Sequence, residues 1–430
     1  MGLPMISQPS PRRFAILGVT FVAALWMYID RVCISTLAVP IQADLNLSDR
    51  EKGVMLGAFF LTYAIFQVPV GTLADRFGQR KVLALCIVGW SIITALTGFV
   101  EGFISLLVVR LLLGVSEAGA YPAAAGLVRS WAAPSERGRF SSVVALGGRI
   151  GAAIAPYLTV SLAALLVGSV LLGASAIGTP SGVNWRGVFL FYGLCGIAVA
   201  AIFWYVVADR PDSVVKEVIV KRSFASQIGQ LAKSRNMWLF GGVQFGTNVG
   251  WATLVTLLPT YLREVFQVKD GEIGQMQSVA LFTGCVGMIA GGIVTDYAFR
   301  KYGPRWGRSG PIGFALIGCS LCCLVVPNVI DPWHAVAALG VMALFVDLSN
   351  PSTWAFAQDV GGNNVGAALG WGNMWGNLGA ALSPILLTEV KIRFGWDTAF
   401  FVCAASFAYA SVLGFMLNSS KTIAEEADAD

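Results

Sequence analysis

Six charged side chains lie inside long apolar stretches of the sequence, where ionisable groups are rare. A charge that faces lipid costs ~2.5–3.5 kcal/mol on the insertion scale, so such residues face the interior of a helix bundle and commonly have a function. A structural ion pair would account for one or two of them. The six residues are Asp30, Arg31, Arg110, Glu117, Arg149 and Asp347.

The spacing of four of these residues predicts how they are arranged. Arg110 and Glu117 are seven positions apart, so they share a helix face at a separation of ~10.5 Å along the axis, which is too long for a direct bond. Asp30 and Arg31 are adjacent and point ~100° apart on a helix. Each must therefore find a partner on another helix, and we expect Asp30 to pair with Arg110 or Arg149.

The charge balance of the N-terminal half suggests proton-coupled transport of an anion. Arg31, Arg110 and Arg149 contribute three positive charges, and ionised Asp30 and Glu117 contribute two negative charges. Arginine stays charged, whereas a carboxyl group in an apolar site can be protonated near neutral pH. Proton binding would release arginines from internal ion pairs and attract an anion. The proton is then the coupling ion, and we expect no other cofactor.

Neutral hydrogen-bonding groups occupy apolar stretches of the C-terminal half. Asn at membrane depth is costly unless it faces a polar partner or a cavity, although such residues also join helices to each other. Cationic side chains in one half and amides in the other would suit a substrate that has a carboxylate at one end and hydroxyl groups along the rest. A Trp ring could stack against the carbon chain of such a substrate. The residues predicted to contact substrate in this half are Gln244, Asn248, Ser352, Thr353, Trp354, Asn373 and Asn377.

The composition predicts an all-α polytopic membrane protein. Of 430 residues, 56 % are hydrophobic and 12 % are charged. Twelve membrane-spanning helices would need ~240 apolar residues, which is close to that share. The balance excludes a secreted disulfide scaffold, and a net charge of +5 without basic clusters on a polar face excludes a nucleic-acid-binding domain. The eight cysteines lie in apolar runs and the chain has one histidine, so we expect neither a metal site nor catalysis.

The apolar runs divide the chain into two bundles of six helices. The predicted order is an N-terminal tail 1–13, a bundle 14–207, a linker 208–236, a bundle 237–418 and an acidic, disordered tail 419–430. Residues 162–177 are predicted to include a hydrophobic outer loop. With both termini in the cytoplasm, most of the 29 Lys and Arg residues lie on that side, as the positive-inside rule requires. The linker contributes Arg210, Lys216, Lys221 and Arg222.

An internal repeat supports this division. Three short motifs recur six spans later, and two six-helix bundles with a site at mid-depth are a transporter architecture in which rocking of the halves exposes the site alternately. The matched pairs are 151–156 with 379–384, 185–189 with 396–400, and 71–75 with 292–296.

The segment 71–81, with Asp75, Arg76, Arg80 and Lys81, resembles the loop motif between spans two and three of the major facilitator superfamily. The resemblance implies the two-bundle fold. It also implies that the Asp and the neighbouring Arg hold the cytoplasmic ends of the halves together. Asp75, Arg76, Arg80 and the repeated Asp296 are therefore predicted gating residues. A simple positive-inside loop is the alternative explanation of the motif.

A second set of motifs resembles the anion:cation symporter family within that superfamily, which includes sugar-acid transporters, sialin and the vesicular glutamate transporters. The motifs are Tyr28-Ile29-Asp30-Arg31 and Arg110-x-x-x-Gly114-x-x-Glu117 followed by Pro122. The resemblance implies proton coupling by Asp30 and Glu117, and a contribution of Arg31 and Arg110 to the anion site or to its coupling. It also implies a substrate contact from Tyr63.

Three further residues complete the predicted site. Tyr28 belongs to the first of these motifs, and Tyr121 lies one turn beyond Glu117, where it can hydrogen-bond to Glu117 or to substrate. Arg149 stands where the family often has a polar residue. This difference implies either a more highly charged substrate or another internal ion pair.

These observations predict a secondary transporter that takes up an organic anion, such as a hexonate or hexuronate, with protons. The alternatives are an exchanger or facilitator for phosphate or another carboxylate, and, less favoured, an intramembrane enzyme or a sensor without transport activity. We expect a monomer in the cytoplasmic membrane of a bacterium, in contact with lipid, a small anion and protons, and with no nucleic acid.

Overall fold

The computed structural model describes residues 11–166, 181–209 and 224–427, and these contain helices and no strand. Parts of four predicted segments lie outside the described residues: 1–10 of the N-terminal tail, 167–177 of the outer loop, 210–223 of the linker and 428–430 of the C-terminal tail. The linker residues Arg210, Lys216, Lys221 and Arg222 are among them.

The first compact unit comprises the described residues of Met1–Trp131 and Val143–Val218. Its second long helix begins at Ser48, whose side chain and that of Glu51 form a reciprocal capping box. The helices are α1 (Arg12–Thr36), α2 (Ala38–Asp44), α3 (Asp49–Phe77), α4 (Gln79–Thr97), α5 (Phe103–Glu117), α6 (Ala120–Trp131), α7 (Arg137–Leu165) and α8 (Trp185–Val206).

The second compact unit comprises the described residues of Ala132–Ser142 and Ile219–Asp430. It therefore includes the first turns of α7, whose remaining residues belong to the first unit. Its other helices are α9 (Phe224–Lys233), α10 (Arg235–Ala252), α11 (Leu258–Phe266), α12 (Asp270–Val325), α13 (Pro332–Gly361), α14 (Val365–Met416) and α15 (Ile423–Ala427).

Twelve membrane-crossing segments can be counted in the described residues. Nine helical stretches are long and apolar enough to cross a bilayer. Two of them are of double length, and each contains one glycine with positive φ that ends one span and begins the next: Gly303 (φ 74°) in α12 and Gly395 (φ 86°) in α14. The twelfth span is α10 with α11, which a π-helical turn at Thr253–Leu257 interrupts just before Pro259.

The span that carries Arg110 and Glu117 is also interrupted. Helix α5 ends at Glu117 and α6 begins at Ala120, shortly before Pro122. Proline has no backbone N–H and cannot continue the hydrogen-bond ladder of the preceding turn. The break places Glu117 at a helix end in the middle of a membrane span, where its side chain is fully buried.

The internal repeat corresponds to equivalent packing within each unit. A Cβ on Gly151 would collide with the carbonyl oxygen of Leu25, and one on Gly379 would collide with that of Phe245. These glycines let α7 approach α1, and α14 approach α10, more closely than any side chain would allow.

The second repeated motif also makes the same contact twice. The Trp185 indole Nε1 donates to Asp44 Oδ2 at 2.7 Å, and the Trp396 Nε1 donates to Glu264 Oε2 at 3.0 Å.

The C-terminal tail corrects one sequence prediction. Residues 419–427 are ordered and contain α15, whose Ile423 is fully buried. Ser234 Oγ donates to Glu426 Oε2 at 2.5 Å, and Asn236 donates to the other oxygen. The prediction of a disordered tail is therefore wrong for these residues, because Glu426 bonds to the side chains of Ser234 and Asn236 at the N-terminal end of α10.

Candidate functional site

An ion pair between Arg31 and Glu117 lies at the centre of the first unit. Arg31 Nε and Nη2 both donate to Glu117 Oε2, at 3.0 and 2.6 Å. The Glu117 side chain is 0 % exposed and that of Arg31 is 11 % exposed. The two residues predicted to bind anion and proton respectively are thus bonded to each other, on α1 and at the end of α5.

Three aromatic rings surround the Arg31 guanidinium. Its central carbon lies 4.7 Å from the Tyr28 ring centroid, 4.8 Å from that of Phe59 and 4.5 Å from that of Tyr63. Each such cation–π contact stabilises the charge by ~0.5–2 kcal/mol. Tyr28 and Tyr63 were predicted site residues, and here they contact the arginine. Phe59 was not predicted, because a phenylalanine in an apolar span carries no polar atom that would distinguish it.

Arg110 is the second buried cation of this site, and among the described residues no carboxylate oxygen lies within ion-pair distance of its guanidinium. It is 3 % exposed. Its Nε donates to the Met55 carbonyl at 3.3 Å, and its guanidinium lies 5.1 Å from the Phe59 ring centroid, so both arginines contact one ring. Its Nη1 has no hydrogen-bond partner among the described residues. An uncommitted guanidinium N–H is a donor that an incoming anion can use.

Asp30 is buried but does not make the expected ion pair. The residue is 1 % exposed, and neither carboxylate oxygen has a hydrogen-bond partner in the part of the chain that the structure describes. The predicted pairing with Arg110 or Arg149 is therefore wrong for this structure. Asp30 points ~100° away from Arg31 around α1.

Tyr121 lies beside this cluster. The rings of Tyr28 and Tyr121 are 6.2 Å apart, and a Cβ on Gly148 would meet both side chains. Gly148 immediately precedes Arg149 on α7, and Arg149 is half-buried. A small cavity lined in part by Tyr121 and Trp90 opens next to these rings.

The predicted amides of the second unit meet between α10 and α14. Gln244 Nε2 lies 3.5 Å from Asn373 Oδ1, which is a long hydrogen bond. The Asn248 side chain donates to the backbone carbonyl of Gln244 at 2.9 Å, and the Asn377 side chain donates to the backbone carbonyl of Asn373 at 2.8 Å. All four side chains are half-buried. The structure therefore brings the four amides into one group, and substrate binding by them stays a prediction.

The predicted residues of α13 are more enclosed. The Ser352 hydroxyl lies 2.6 Å from that of Thr295 on α12, and the Thr353 hydroxyl donates to the Ser349 carbonyl at 3.0 Å. Trp354 is 5 % exposed. The two hydroxyl groups thus already have partners within the unit.

The predicted gating residues of the first unit lie around the start of α4. Asp75 accepts a hydrogen bond from Gln79 at 2.9 Å. The guanidinium of Arg80 lies 4.1 Å from the Trp204 ring centroid, while its backbone N–H donates to Asp209 at 2.6 Å. The guanidinium of Arg76 lies over the neighbouring ring of Phe77, at 5.4 Å.

The repeated motif of the second unit caps a helix. Asp296 Oδ1 accepts from the Gly138 backbone N–H at 2.8 Å, and its Oδ2 accepts from Arg139 Nε at 2.8 Å. A carboxylate at the N-terminus of α7 satisfies free N–H groups and complements the helix dipole. Its predicted gating role stays a prediction.

A neighbouring ion pair was not predicted. Asp359 bonds to Arg137 and to Arg308 Nε, the latter at 2.7 Å, and Arg308 is fully buried. In the sequence the two arginines only indicate topology, because nothing there reveals that α12 and the start of α7 meet at Asp359.

Comparison with known proteins establishes the family. The sequence profile of the Major Facilitator Superfamily matches residues 20–384. The chain belongs to this superfamily. The predicted two-bundle helical fold is thereby confirmed, and so is the prediction that this superfamily member is an integral membrane transporter and not an enzyme.

Relatives of this superfamily member are named as transporters of small organic anions. A probable sulfoacetate transporter of Cupriavidus necator is 27 % identical over 434 residues, which cover 97 % of this chain and 96 % of the relative. A probable L-galactonate transporter of Escherichia coli is 28 % identical and covers 81 % of this chain and 76 % of its own length. The hexuronate transporter of Bacillus subtilis is 25 % identical, with 92 % and 93 % covered.

Solved structures share the fold. The fucose:proton symporter FucP of Escherichia coli has a TM-score of 0.70 at 15 % identity and covers 95 % of this chain and all of its own. The human organic anion transporter MFSD10 has a TM-score of 0.69 at 15 % identity, with 94 % of this chain covered and 100 % of its own.

Proposed function

We propose that this superfamily member is a proton-coupled symporter of a small organic anion, most simply a sugar acid such as a hexonate or hexuronate. The observation that carries this proposal is the charge arrangement in the first unit. One arginine is bonded to Glu117, a second arginine lacks an acidic partner, and Asp30 is buried without a hydrogen bond among the described residues.

This arrangement couples protonation to anion binding by competition for Arg31. While Glu117 is ionised, its Oε2 occupies both Nε and Nη2 of Arg31. Protonation of Glu117 removes the negative charge and weakens both bonds, because the attraction between opposite charges is lost and a cation then faces a neutral carboxyl group. Arg31 can then bind a carboxylate, and Arg110 offers its Nη1 to the same anion. A proton and an anion therefore bind together.

The substrate class rests on the relatives and on the amides. Relatives are named for L-galactonate, hexuronate and galactarate/D-glucarate, which are acids with several hydroxyl groups. Amide side chains both donate and accept hydrogen bonds, as hydroxyl groups require. We infer that Gln244, Asn248, Asn373 and Asn377 contact the hydroxylated part of the substrate.

A second candidate substrate is a short acid with two negative groups. Arg149 follows Gly148, which packs against Tyr28 and Tyr121, and it is a third cation on the helices of this unit. The Cupriavidus relative is named for sulfoacetate, an acid of this kind. Phosphate would be recognised by the same cations.

The test is uptake into proteoliposomes with and without an inward proton gradient. The panel comprises a hexonate, a hexuronate, an aldarate, sulfoacetate and phosphate, and a proton ionophore provides the control. We expect accumulation of one class only when the outside is acidic, abolished by the ionophore. If uptake is equal with and without the gradient and requires a second substrate inside the proteoliposomes, the protein is instead an exchanger.

The remaining assignments follow the same proposal. We propose that the chain acts as a monomer in a bacterial cytoplasmic membrane with both termini inside, and that the proton is its coupling ion, with no other cofactor. Among the described residues, no group of three or more His, Cys, Asp or Glu side chains is placed to hold a metal ion. The orientation of the termini can be tested by introducing single cysteines near each end of the chain and measuring their accessibility from each side of the membrane.

A further inference from the structure

The turn between the two spans of α12, in the second unit, carries an exposed group of cations and aromatic rings. Lys301 Nζ lies 5.6 Å from the Tyr297 ring centroid and 5.2 Å from that of Tyr302. The Arg305 guanidinium lies 5.4 Å from the Trp306 ring centroid. We call this group the α12 turn patch, and its exposed members are Tyr297, Arg300, Lys301, Tyr302, Arg305 and Trp306.

The three cations of the α12 turn patch have no acidic counterpart nearby. The sequence contains no Asp or Glu from 297 to 330. In the part of the chain that the structure describes, no carboxylate oxygen lies within ion-pair distance of these side chains. The acid that precedes the patch, Asp296, is buried and bonded to Gly138 and Arg139. The patch is therefore a local excess of positive charge at the surface, which attracts anions.

An exposed apolar stripe leads along α12 to this patch. Its side chains recur every three or four residues, so they lie on one face of the helix. In an integral membrane protein such a face contacts acyl chains, and Tyr and Trp rings lie at the level of the lipid headgroups. The patch thus begins where the acyl-chain region ends. The stripe consists of Phe282, Val286, Ile289 and Ile293, and Tyr297 is the next residue on the same face.

The equivalent turn of the first unit has an acid of the chain against it. Both turns follow the repeated motif and contain a glycine with positive φ, Gly78 or Gly303, and an arginine two residues later. A Cβ on Gly78 would meet the Asp209 carboxylate at 3.1 Å, and this carboxylate accepts a hydrogen bond from the Arg80 backbone N–H at 2.6 Å. A Cβ on Gly303 would meet no atom of the described residues within 4 Å. The first turn is thus covered by a carboxylate of the chain itself, whereas the second is open to an anion from outside.

We propose that the α12 turn patch binds the headgroup of an anionic phospholipid, such as phosphatidylglycerol. The phosphate accepts charge-assisted hydrogen bonds from Lys301 and Arg305, and the acyl chains lie along the apolar stripe. A free phosphate ion would use the cations alone, whereas a phospholipid uses the cations and the stripe together. In the orientation proposed above, the turn lies at the cytoplasmic surface of the membrane, where anionic lipids attract basic segments.

The experiment measures lipid binding to the purified full-length protein in a neutral detergent by native mass spectrometry. The lipids are dioleoyl phosphatidylglycerol, which is anionic, and dioleoyl phosphatidylcholine, which has the same acyl chains but no net charge. Inorganic phosphate is added in excess as a competitor. The test variant carries Lys301→Gln and Arg305→Gln together.

The matched control carries Lys233→Gln and Arg235→Gln, which remove the same charge from two exposed cations of the same unit. These two residues flank Ser234, whose hydroxyl is bonded to Glu426, so their surroundings already contain an acid. A second control, Lys301→Arg with Arg305→Lys, keeps both charges of the patch.

We expect the wild type to bind phosphatidylglycerol about tenfold or more tightly than phosphatidylcholine. The test variant should bind phosphatidylglycerol ~25-fold more weakly than the wild type, because each basic side chain near anionic headgroups contributes a factor of about five. Both controls should stay within about twofold of the wild type. Should the double substitution prevent purification, Lys301→Gln alone gives the same test with a loss of about fivefold.

Equal binding of the two lipids by the wild type overturns the proposal, and so does an equal loss of phosphatidylglycerol binding in the test variant and the Lys233→Gln, Arg235→Gln control. Full displacement of the lipid by inorganic phosphate also overturns it, since the site would then be one for free phosphate. Transport does not enter the measurement, so the result is independent of the proposed symport.

Discussion

Replacement of Glu117 by glutamine tests the competition for Arg31 directly. The substitution removes the negative charge but keeps an oxygen that can accept from both Arg31 N–H groups, so the ion pair with donor–acceptor distances of 3.0 and 2.6 Å becomes a contact between a guanidinium and a neutral amide. A hydrogen bond to a charged group contributes ~1.5–3 kcal/mol and a neutral one ~0.5–1.5 kcal/mol. We therefore expect residue 117 to bind Arg31 more weakly in Glu117→Gln, by ~1–2 kcal/mol, so that it competes less with the anion.

That difference predicts a change in anion affinity that depends on pH. At pH 8.5, where the proposed mechanism has Glu117 ionised, Glu117→Gln should bind the anion about tenfold more tightly than the wild type, since 1.4 kcal/mol corresponds to a factor of ten. At pH 5.5 the two proteins should differ little. Gradient-driven accumulation should be lost, while exchange of labelled for unlabelled substrate persists.

The assay is calorimetric titration of the purified protein at both pH values, followed by uptake and exchange in proteoliposomes. Glu101→Gln is the control, because Glu101 is exposed and takes part in no ion pair with Arg31. The reasoning is refuted if a folded Glu117→Gln protein accumulates substrate against its gradient as well as the wild type does. Equal loss of anion binding at both pH values would also refute it.

Three further predictions concern residues that sequence inspection alone does not identify. Phe59→Leu should raise the KM of the anion about three- to tenfold, because both site arginines lose a ring contact; kinetics of uptake measure this. Gly151→Val should lower the melting temperature in detergent, because its side chain would meet the Leu25 carbonyl, whereas Gly57→Ala, with open space around it, should not. Asp359→Asn should destabilise the protein by ~3–5 kcal/mol, since it leaves the buried Arg308 and the half-buried Arg137 without their counter-charge; denaturant unfolding measures this.

The sequence predicts most of the fold, because membrane spans are a property of local composition. Each predicted apolar run corresponds to helical residues, and the three repeated motifs anticipate the division into two units. The ordered tail was missed for a related reason. An acidic, polar stretch indicates disorder only if no other part of the chain binds it. The bond between Glu426 and the start of α10 depends on packing that composition does not encode.

The site is predicted less completely, since helix periodicity gives directions around an axis but not the neighbouring helix. Helix periodicity correctly predicts that Asp30 and Arg31 point in different directions. It also correctly predicts that Arg110 does not bond to Glu117. It does not show that the Asp30 carboxylate oxygens have no hydrogen-bond partner among the described residues. For the same reason Phe59 is indistinguishable in sequence from the phenylalanines that face lipid.

The paired indole–carboxylate contacts have a consequence for how the two units diverged. Asp44 ends α2 and Glu264 lies in α11, so acids that differ by one methylene occupy corresponding places. Each accepts a hydrogen bond from the indole N–H of a tryptophan at the start of the last span of its own unit. The two units thus share the position of the carboxylate group that accepts the indole N–H, although the residue that carries this group differs. A search for symmetry between the halves by residue identity overlooks such matches, whereas a search by the position of oxygen and nitrogen atoms recovers them.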